Sequence, residues 1–476
     1  MVLRARSAPS PVWCWLLLTV ATGACAEASV GYGLAFLSCA VVTLSYWLVI
    51  RTTLPFQFSR ITISGFWYLT YLAMIFLPAL FVYSEQEGPY RGRFLFAVES
   101  ALITVPLGWL IAGRVYDFSR WQDELHFEAP VITRGITAKH RRLFLALLGL
   151  ALVVTLLYLR EVETVPLLYL FRNPGDYLQL VSLREESFKL LGSPLTYAYY
   201  LVRSLLYPML ILISLGCYLA TRGRLWLFLF VSSFVAGVLY AALSLAKAPV
   251  AIVCALLGFY FYYFRRGRLP KRLVAFLLAL TLLFPFVVVL SVSSADSGVG
   301  PQEALQGIAS RLFYVPAEVA YYYFEVFPKQ MPYLHGRSIN KLARLLMMTP
   351  FDTPNYIGQY AYPSALESIS ANAVFLGDLN ADFGLWGVLL GGIAAGFVMQ
   401  ALHIHVFRRP KTVFSLACYS FLVVAFWFLH STSLPVVLLS DGAILAVCLA
   451  WLFERAGGNP RKVLGTCTYD AIAGTG

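Results

Sequence analysis

Twelve apolar stretches run along the sequence, and each is close to the length that a helix needs to cross a membrane. A transmembrane helix takes about 20 predominantly apolar residues, and the mean hydropathy of the whole chain is +0.73. This pattern predicts an all-α polytopic membrane protein embedded in a lipid bilayer. The predicted spans are 11–28, 31–50, 63–84, 94–112, 143–159, 196–219, 225–243, 248–264, 273–293, 383–406, 412–430 and 434–453.

A shortage of charged residues supports the same conclusion. Only 13% of the 476 residues are Asp, Glu, Lys or Arg, against about 25% in a soluble globular chain. So few charges cannot cover the water-exposed surface of a soluble protein of this length, so lipid must cover part of it. The composition therefore excludes a soluble enzyme, a disordered chain and a fibrous protein.

The positive charges predict how the chain is oriented. Connections rich in Lys and Arg occur on every second turn, and by the positive-inside rule they face the cytoplasm together with both termini. That side holds 23 Lys and Arg against 6 Asp and Glu, whereas the outer side holds 13 against 16. The net charge of +12 therefore indicates orientation and not a surface that binds nucleic acid.

The N-terminal stretch has a second interpretation. Arg4 and Arg6 precede an apolar run that ends at Ala24-Cys25-Ala26, which is also typical of a secretory signal peptide and its cleavage site. Whether residues 1–26 are retained as a helix is left open, and the predicted orientation of the later spans is the same in both cases.

We expect a single transmembrane domain over 1–476, with long periplasmic loops at 160–195 and 294–382 and a polar cytoplasmic tail at 454–476. Loops of this length are usually functional or carry structure of their own. In the second loop, Ser310–Phe327 has the pattern of a short amphipathic helix lying against the membrane. The eight cysteines lie mostly in apolar stretches and form no CxxC pair, so no metal or cofactor site is predicted.

The outer connections carry an unusual set of arginines for a side of the membrane that does not need them for orientation. A guanidinium is suited to hold phosphate or diphosphate in bidentate contact, so the set predicts an anionic ligand. The alternative is solvated ion pairs with loop carboxylates such as Glu185, Glu186 and Glu325. The candidate ligand-binding residues are Arg160, Arg172, Arg184, Arg203, Arg311, Arg337 and Arg344, with Lys247 at the turn between spans seven and eight.

Two carboxylates lie inside predicted spans. Glu99 in the fourth span and Asp441 in the twelfth are each roughly 9–10 Å below the outer surface at about 1.5 Å per residue. Ionisable groups in a membrane are costly and are usually functional or paired. The shared depth predicts one outward-facing cavity that binds substrate, with Lys247 as a counter-ion or phosphate ligand. The alternative is that each carboxylate is hydrogen-bonded for structural reasons.

Acidic and histidine side chains before the tenth span are candidates for a general base. Asp378 and Asp382 are four residues apart, so they share one face if this segment is helical, and Glu367 precedes them in the same loop. His335 lies earlier in that loop and could accept a proton near neutral pH. The alternatives are that the aspartates stabilise the start of the helix and that His335 is an ordinary surface residue.

One segment resembles a known family. Residues 375–388 read FLGDLNADFGLWGV, and two glycine pairs, 387/391 and 392/396, follow for close helix packing. This segment is similar to the glycine-rich stretch after the large periplasmic loop of Wzy-type oligosaccharide repeat-unit polymerases, the O-antigen polymerases. His335-Gly336-Arg337-Ser338, followed by Asn355, is similar in order to that loop, and the layout of spans and loops is similar too.

The resemblance implies a function, its partners and the roles of the candidate residues. Such enzymes lie in the bacterial inner membrane and join repeat units carried on undecaprenyl diphosphate at the periplasmic face. They need no metal and invert the configuration at the sugar. Donor and acceptor would both be lipid-linked oligosaccharides, and whether a chain-length-regulating co-polymerase takes part is left open. The base would be Asp378, Asp382, Glu367 or His335, with Asp378 favoured, and the outer arginines would bind diphosphate or anionic sugars.

Two other functions fit the sequence. An O-antigen ligase would use a similar donor but transfer the polymer to lipid A-core. A lipid-linked oligosaccharide flippase or another transporter would move the substrate without chemistry. A transporter more typically has paired structural repeats and short loops on both sides, so an outer loop of about 90 residues favours an enzyme.

Overall fold

A computed structural model of the chain describes residues 11–52, 60–118, 120–133, 135–173, 179, 183, 193–243, 247–277, 279, 301–339, 343–344, 346–363 and 371–457. Within these ranges the chain is helical and no β-strand occurs. The named helices are α1 (Pro11–Val30), α2 (Tyr32–Thr52), α3 (Ile63–Tyr71), α4 (Leu77–Glu85), α5 (Arg91–Val115), α6 (Arg120–Glu128), α7 (Ala138–Glu161), α8 (Pro166–Arg172), α9 (Ser193–Leu201), α10 (Tyr207–Thr221), α11 (Arg224–Leu243), α12 (Lys247–Phe264), α13 (Pro301–Phe313), α14 (Val315–Val326), α15 (Thr353–Ala361), α16 (Phe375–Phe407), α17 (Val413–Trp427) and α18 (Ala443–Ala456). Short π-helical turns at Leu72–Phe76, Val202–Leu206 and Val436–Ser440 and a 3-10 turn at Phe428–His430 complete them.

Nine helical segments among the described residues are long and apolar enough to cross a membrane. The prediction of an all-α, membrane-embedded chain is therefore confirmed, whereas the total of twelve spans and their orientation stay predictions. The nine segments are Tyr32–Thr52, Ile63–Glu85, Arg91–Val115, Ala138–Glu161, Leu195–Thr221, Arg224–Leu243, Phe375–Phe407, Val413–His430 and Val436–Ala456.

The three other predicted spans have different outcomes. The stretch 11–28 lies within α1, a helix of 20 residues. The stretch 248–264 lies within α12, whose apolar part, Val250–Phe264, is shorter than the other spans. The stretch 273–293 falls mostly outside the described residues.

Helix α5 packs along α16 more extensively than any other pair of described helices. Glycines explain how close the two backbones come. A Cβ atom added to Gly108 would lie 2.2 Å from the carbonyl oxygen of Ile393, and one added to Gly396 would lie 2.0 Å from that of Val105. Both distances are far below van der Waals contact, so these positions need glycine. The packing role predicted for the pair 392/396 is confirmed.

Helix α16 is sharply bent at Gly384, where φ is 66° and ψ is −156°. A Cβ atom added to Gly387 would lie 2.6 Å from the carbonyl oxygen of Leu379, and one added to Gly391 would lie 2.5 Å from its side chain. In a straight helix, Gly387 and Gly391 would lie about 12 and 18 Å from Leu379 along the helix axis. Residues 375–383 therefore fold back beside the start of 385–407. The glycine pair 387/391 makes room for contact within this bent helix and not for a neighbouring helix.

The bundle has two different ends because α5 runs from one to the other. We call the end formed by connections 116–137 and 408–412 the basic end, and the end formed by 86–90 and 327–363 the loop end. At the basic end, helix α6 is tied to the spans by buried polar groups: Asp123 Oδ1 lies 2.7 Å from His403 Nε2, and His403 Nδ1 lies 2.9 Å from the hydroxyl of Tyr419. The functional candidates 335–337 and 378–382 lie at the loop end.

The segment of the second outer loop that the sequence predicts as one helix belongs to two helices. The predicted segment Ser310–Phe327 is divided at Tyr314 between α13 and α14. Helix α14 buries residues such as Ala317, Tyr321 and Phe324 and packs against both α5 and α16. It is therefore part of the bundle at the loop end, in contrast to the predicted helix lying on the membrane.

Candidate functional site

The predicted aspartates lie beside the bend of α16. The bend needs glycine at Gly384 for two reasons. Its φ of 66° lies in the left-handed region that other residues avoid, and a Cβ atom there would lie 2.8 Å from the hydroxyl oxygen of Tyr333. We call the group formed by Arg93, Tyr333, the loop Leu334–Ser338 and Asp378–Gly384 the kink site.

Asp382 anchors the loop of the kink site to the helix. The residue is 1% exposed. Its Oδ1 accepts hydrogen bonds from the backbone N–H groups of Gly336 at 2.9 Å and Ser338 at 3.2 Å, and its Oδ2 accepts one from the Ser338 hydroxyl at 2.5 Å. Positive φ angles at His335 and Gly336 turn the loop around the carboxylate. With three donors on it, Asp382 is engaged in holding this loop.

Asp378 is in the opposite situation. It lies one helical turn before Asp382, as the four-residue spacing predicts, and it is half-buried. Among the described residues, no side chain or backbone group donates a hydrogen bond to its carboxylate. No side-chain hydrogen bond caps this helix start, where the N-cap residue is Val374, but Asp378 lies in the first turn of α16. The predicted alternative, that its charge stabilises the start of the helix, therefore stays open. Asp378 therefore has carboxylate oxygens that are free to accept a proton or a hydrogen bond.

Arg93 belongs to the kink site although the sequence analysis missed it. Its Nη2 donates to the hydroxyl of Tyr333 at 2.5 Å and to the side-chain oxygen of Asn380 at 3.1 Å. Asn380 in turn donates to the carbonyl oxygen of Tyr323 at 3.3 Å. The only signal in the sequence is an arginine at the outer start of an apolar stretch, which is also typical of any residue that flanks a span.

Two of the loop candidates lie close to Asp382 because the loop is wrapped around it. His335 is exposed, and its backbone N–H donates to the carbonyl oxygen of Asp382 at 3.1 Å. Arg337 is half-buried and stands between the two residues that donate to the Asp382 carboxylate, with its Nε donating to the carbonyl oxygen of Thr349 at 3.0 Å. Arg344, further along the loop, is exposed.

No described contact joins the other predicted arginines to the kink site. Arg203 is half-buried on α9–α10, where its guanidinium lies 5.3 Å and 5.0 Å from the ring centres of Tyr199 and Tyr200. Three others, Arg160, Arg172 and Arg311, are exposed. Arg184, Glu367 and the side chain of Lys247 lie outside the described residues.

Glu99 and Asp441 pack against different helices. Glu99 is buried and accepts a hydrogen bond from the hydroxyl of Ser38 on α2 at 2.6 Å. Asp441 is half-buried, and the next residue, Gly442, packs closely on Leu205. No described contact joins the two carboxylates, so the hydrogen-bonded structural alternative describes Glu99 better than the shared cavity does.

Acidic and tyrosine side chains on and around α14 lie next to the kink site. Burial raises the pKa of Glu318, and the negative charge of Glu85 adds to this effect, while a hydrogen bond from Tyr362 at 3.4 Å opposes it. Burial also raises the pKa of Tyr322 to about 12, with a contribution from the charge of Glu318. These groups are therefore neutral more often than exposed side chains of the same type would be.

Within the part of the chain that the structure describes, no three His, Cys, Asp or Glu side chains are grouped as a metal site would need. The described cysteines are not joined by disulfides.

Comparison of the chain with known protein families, with characterised proteins and with solved structures found no match to any of them. A function for this chain therefore has to be argued from the chemistry of its own residues.

Proposed function

We propose that the chain is a membrane glycosyltransferase that polymerises oligosaccharide repeat units linked to undecaprenyl diphosphate. The observation that supports this proposal most is the state of the Asp378 carboxylate. This half-buried carboxylate receives no hydrogen bond from the described residues and lies one turn from a carboxylate that fixes an adjacent loop. It therefore has the position and freedom that a general base needs. The resemblance of residues 375–388 to the O-antigen polymerases points to sugar transfer as the reaction that such a base serves.

In the proposed reaction, Asp378 accepts the proton of a hydroxyl on the non-reducing sugar of the incoming repeat unit. The hydroxyl oxygen attacks the anomeric carbon of the donor sugar from the face opposite the diphosphate. The glycosidic bond forms while the bond from that carbon to the diphosphate oxygen breaks, so the configuration inverts. Negative charge grows on the leaving diphosphate, and guanidinium groups can stabilise this charge without a metal.

Arg337 is the loop arginine whose position suits this role best. Its neighbours Gly336 and Ser338 are tied to Asp382, and its own Nε is held by a backbone carbonyl. A fixed guanidinium loses less side-chain entropy on binding than the exposed arginines of the loops do. Asp382 then acts as a positioning residue that holds Arg337 near Asp378.

The orientation of the chain forms part of the proposal. The excess of Lys and Arg at the basic end favours a cytoplasmic location for that end. The kink site at the loop end would then face the periplasm of a bacterial inner membrane, where lipid-linked repeat units are polymerised.

The test separates the two aspartates. Asp378→Asn should lower the rate of chain extension by about a hundredfold or more, as loss of a general base does, while leaving thermal stability close to that of the wild type. Asp382→Asn should lower both, because the loop loses its anchor. Purified protein supplied with a lipid-linked repeat unit is assayed for longer products on gels, and Arg337→Gln is compared with Lys329→Gln, an exposed cation of the same loop.

The outcomes distinguish the alternatives. Full chain extension by Asp378→Asn at normal protein levels would refute the assignment of the base. In cells, loss of polymer with single repeat units retained supports a polymerase, whereas unattached polymer that accumulates supports the O-antigen ligase. Movement of the lipid-linked unit across vesicles without any new glycosidic bond supports the transporter.

A further inference from the structure

Arg93 is a half-buried cation with no counter-ion in the described part of the chain. Its Nη2 is occupied by Tyr333 and Asn380, which are both neutral. Its Nε is buried and has no acceptor among the described residues, and none of their carboxylates lies within ion-pair distance of the guanidinium. Within the described residues, the charge is therefore held in the kink site by neutral groups: these two hydrogen bonds and the ring of Tyr333, whose centre lies 5.9 Å from the guanidinium.

Such an arrangement is costly unless something negative completes it. Removing a charged group from water costs several kcal/mol, which an opposite charge or a full set of hydrogen bonds must offset. The buried Nε has no acceptor among the described residues, so the bonds to Tyr333 and Asn380 are not a full set. A buried donor without an acceptor needs an explanation, and a bound anion is one partner that would supply the acceptor.

The guanidinium is also fixed in place before any ligand binds. Asn380 is itself held by the carbonyl oxygen of Tyr323, and Tyr333 directly precedes the loop that Asp382 anchors. The Nη2 atom lies 3.4 Å from the point where a Cβ atom on Gly384 would be, so the bend of α16 leaves space that the arginine uses. Prior fixing of a charged donor increases its contribution to binding, because little reorganisation follows.

Arg91, two residues earlier on the same helix, shows the contrast. Its guanidinium lies 4.9 Å from the ring centre of Tyr83, and its Nη1 donates to the carbonyl oxygen of Gln86 at 3.3 Å. Arg91 flanks the span and is engaged by its neighbours in sequence, whereas Arg93 reaches residues that lie 240 and 287 positions away. The pair therefore provides a matched control.

We infer that Arg93 binds an oxyanion at the kink site, and that this oxyanion is the diphosphate of the lipid-linked donor. The inference rests on the proposed function for the identity of the ligand. Arg93 follows the second outer turn, which contributes no arginine to the predicted set of loop arginines. It lies on α5, which packs along α16, the helix that carries Asp378. The diphosphate would thus be held by Arg93 on one side while Asp378 deprotonates the acceptor.

Asn380→Asp offers a test that a purely structural role of Arg93 would fail. The substitution places a carboxylate against Arg93 and removes the donor to the carbonyl oxygen of Tyr323. It should therefore weaken oxyanion binding, and thermal stability is measured alongside to separate this effect from a loss of folding. Arg93→Gln should weaken binding by about tenfold or more, the usual loss for a hydrogen bond to a charged group, and Arg91→Gln should not change it. Binding of inorganic diphosphate and, separately, of glucuronate to purified protein in detergent is measured by calorimetry.

Each outcome decides the inference. Weaker diphosphate binding in both Arg93→Gln and Asn380→Asp, with Arg91→Gln unchanged, supports it. Equal diphosphate binding by Arg93→Gln and the wild type overturns it, as does binding of glucuronate but not of diphosphate. If diphosphate binding depends on Arg93 and the purified wild type nevertheless makes no longer product, the oxyanion site stands and the proposed polymerase function fails.

Discussion

Gly396→Ala tests how the kink site is supported, because Gly396 lies where α5 and α16 come closest. The added Cβ atom would be 2.0 Å from the carbonyl oxygen of Val105 and 2.9 Å from its carbonyl carbon. Both atoms belong to the backbone, so neither can rotate away. The two helices must move apart to accept even one methyl group.

The size of the effect follows from these distances. Separating the methyl carbon and the oxygen to 3.0 Å requires a local shift of about 1 Å, and a gap of 0.5–1 Å already costs neighbouring atoms roughly a quarter to a half of their dispersion energy. Overpacking of this kind typically destabilises by about 1–3 kcal/mol. We expect the upper part of that range, because α5 and α16 pack along much of their length.

The loss of stability is measured by unfolding the purified protein with sodium dodecyl sulfate while circular dichroism monitors its helix content. Gly149→Ala is the control, because it lies in the apolar helix α7 and no atom is within 4 Å of the Cβ atom it would gain. That variant should be as stable as the wild type or up to about 1 kcal/mol more stable, because alanine has the higher helix propensity. The reasoning is refuted if Gly396→Ala and Gly149→Ala unfold at the same detergent fraction.

Three further substitutions have definite expected outcomes. Gly384→Ala places a side chain at φ 66° and against Tyr333, so it should destabilise by about 1–3 kcal/mol and reduce chain extension; unchanged activity in the product assay would contradict this. His403→Leu leaves the buried Asp123 without its 2.7 Å partner, and a loss of about 3 kcal/mol or more should appear in detergent unfolding. For Glu318 the pKa is raised in the folded state, so its contribution to stability is present at low pH and is lost as the pH rises through that pKa. Glu318→Gln should therefore melt at a higher temperature than the wild type near pH 7 and at the same temperature near pH 4, and a constant difference across this range of about pH 4–7 would contradict it.

The fold was more predictable than the site because burial in lipid acts on each helix separately. A stretch such as 94–112 needs only its own apolar length to be recognised as a span, and the structure places α5 over it. The spacing of Asp378 and Asp382 likewise depends only on helical geometry. By contrast, the contact of Arg93 with Asn380 joins residues 287 positions apart, and no local pattern contains it.

The sequence by itself determined that the chain is a membrane protein, which stretches are apolar, and that two carboxylates share a helical face. These properties follow from composition and from periodicity over a few turns. Only the tertiary structure decided that the loop 334–338 occupies Asp382 and that α16 bends at Gly384. It also decided that, among the described residues, Asp378 has no hydrogen-bond donor and Arg93 has no counter-ion. Whether one of these charged groups has a partner depends on which atoms the packing of α5 on α16 brings together. Glycines determine this packing because they let the two backbones approach closely, and the charged residues do not determine it.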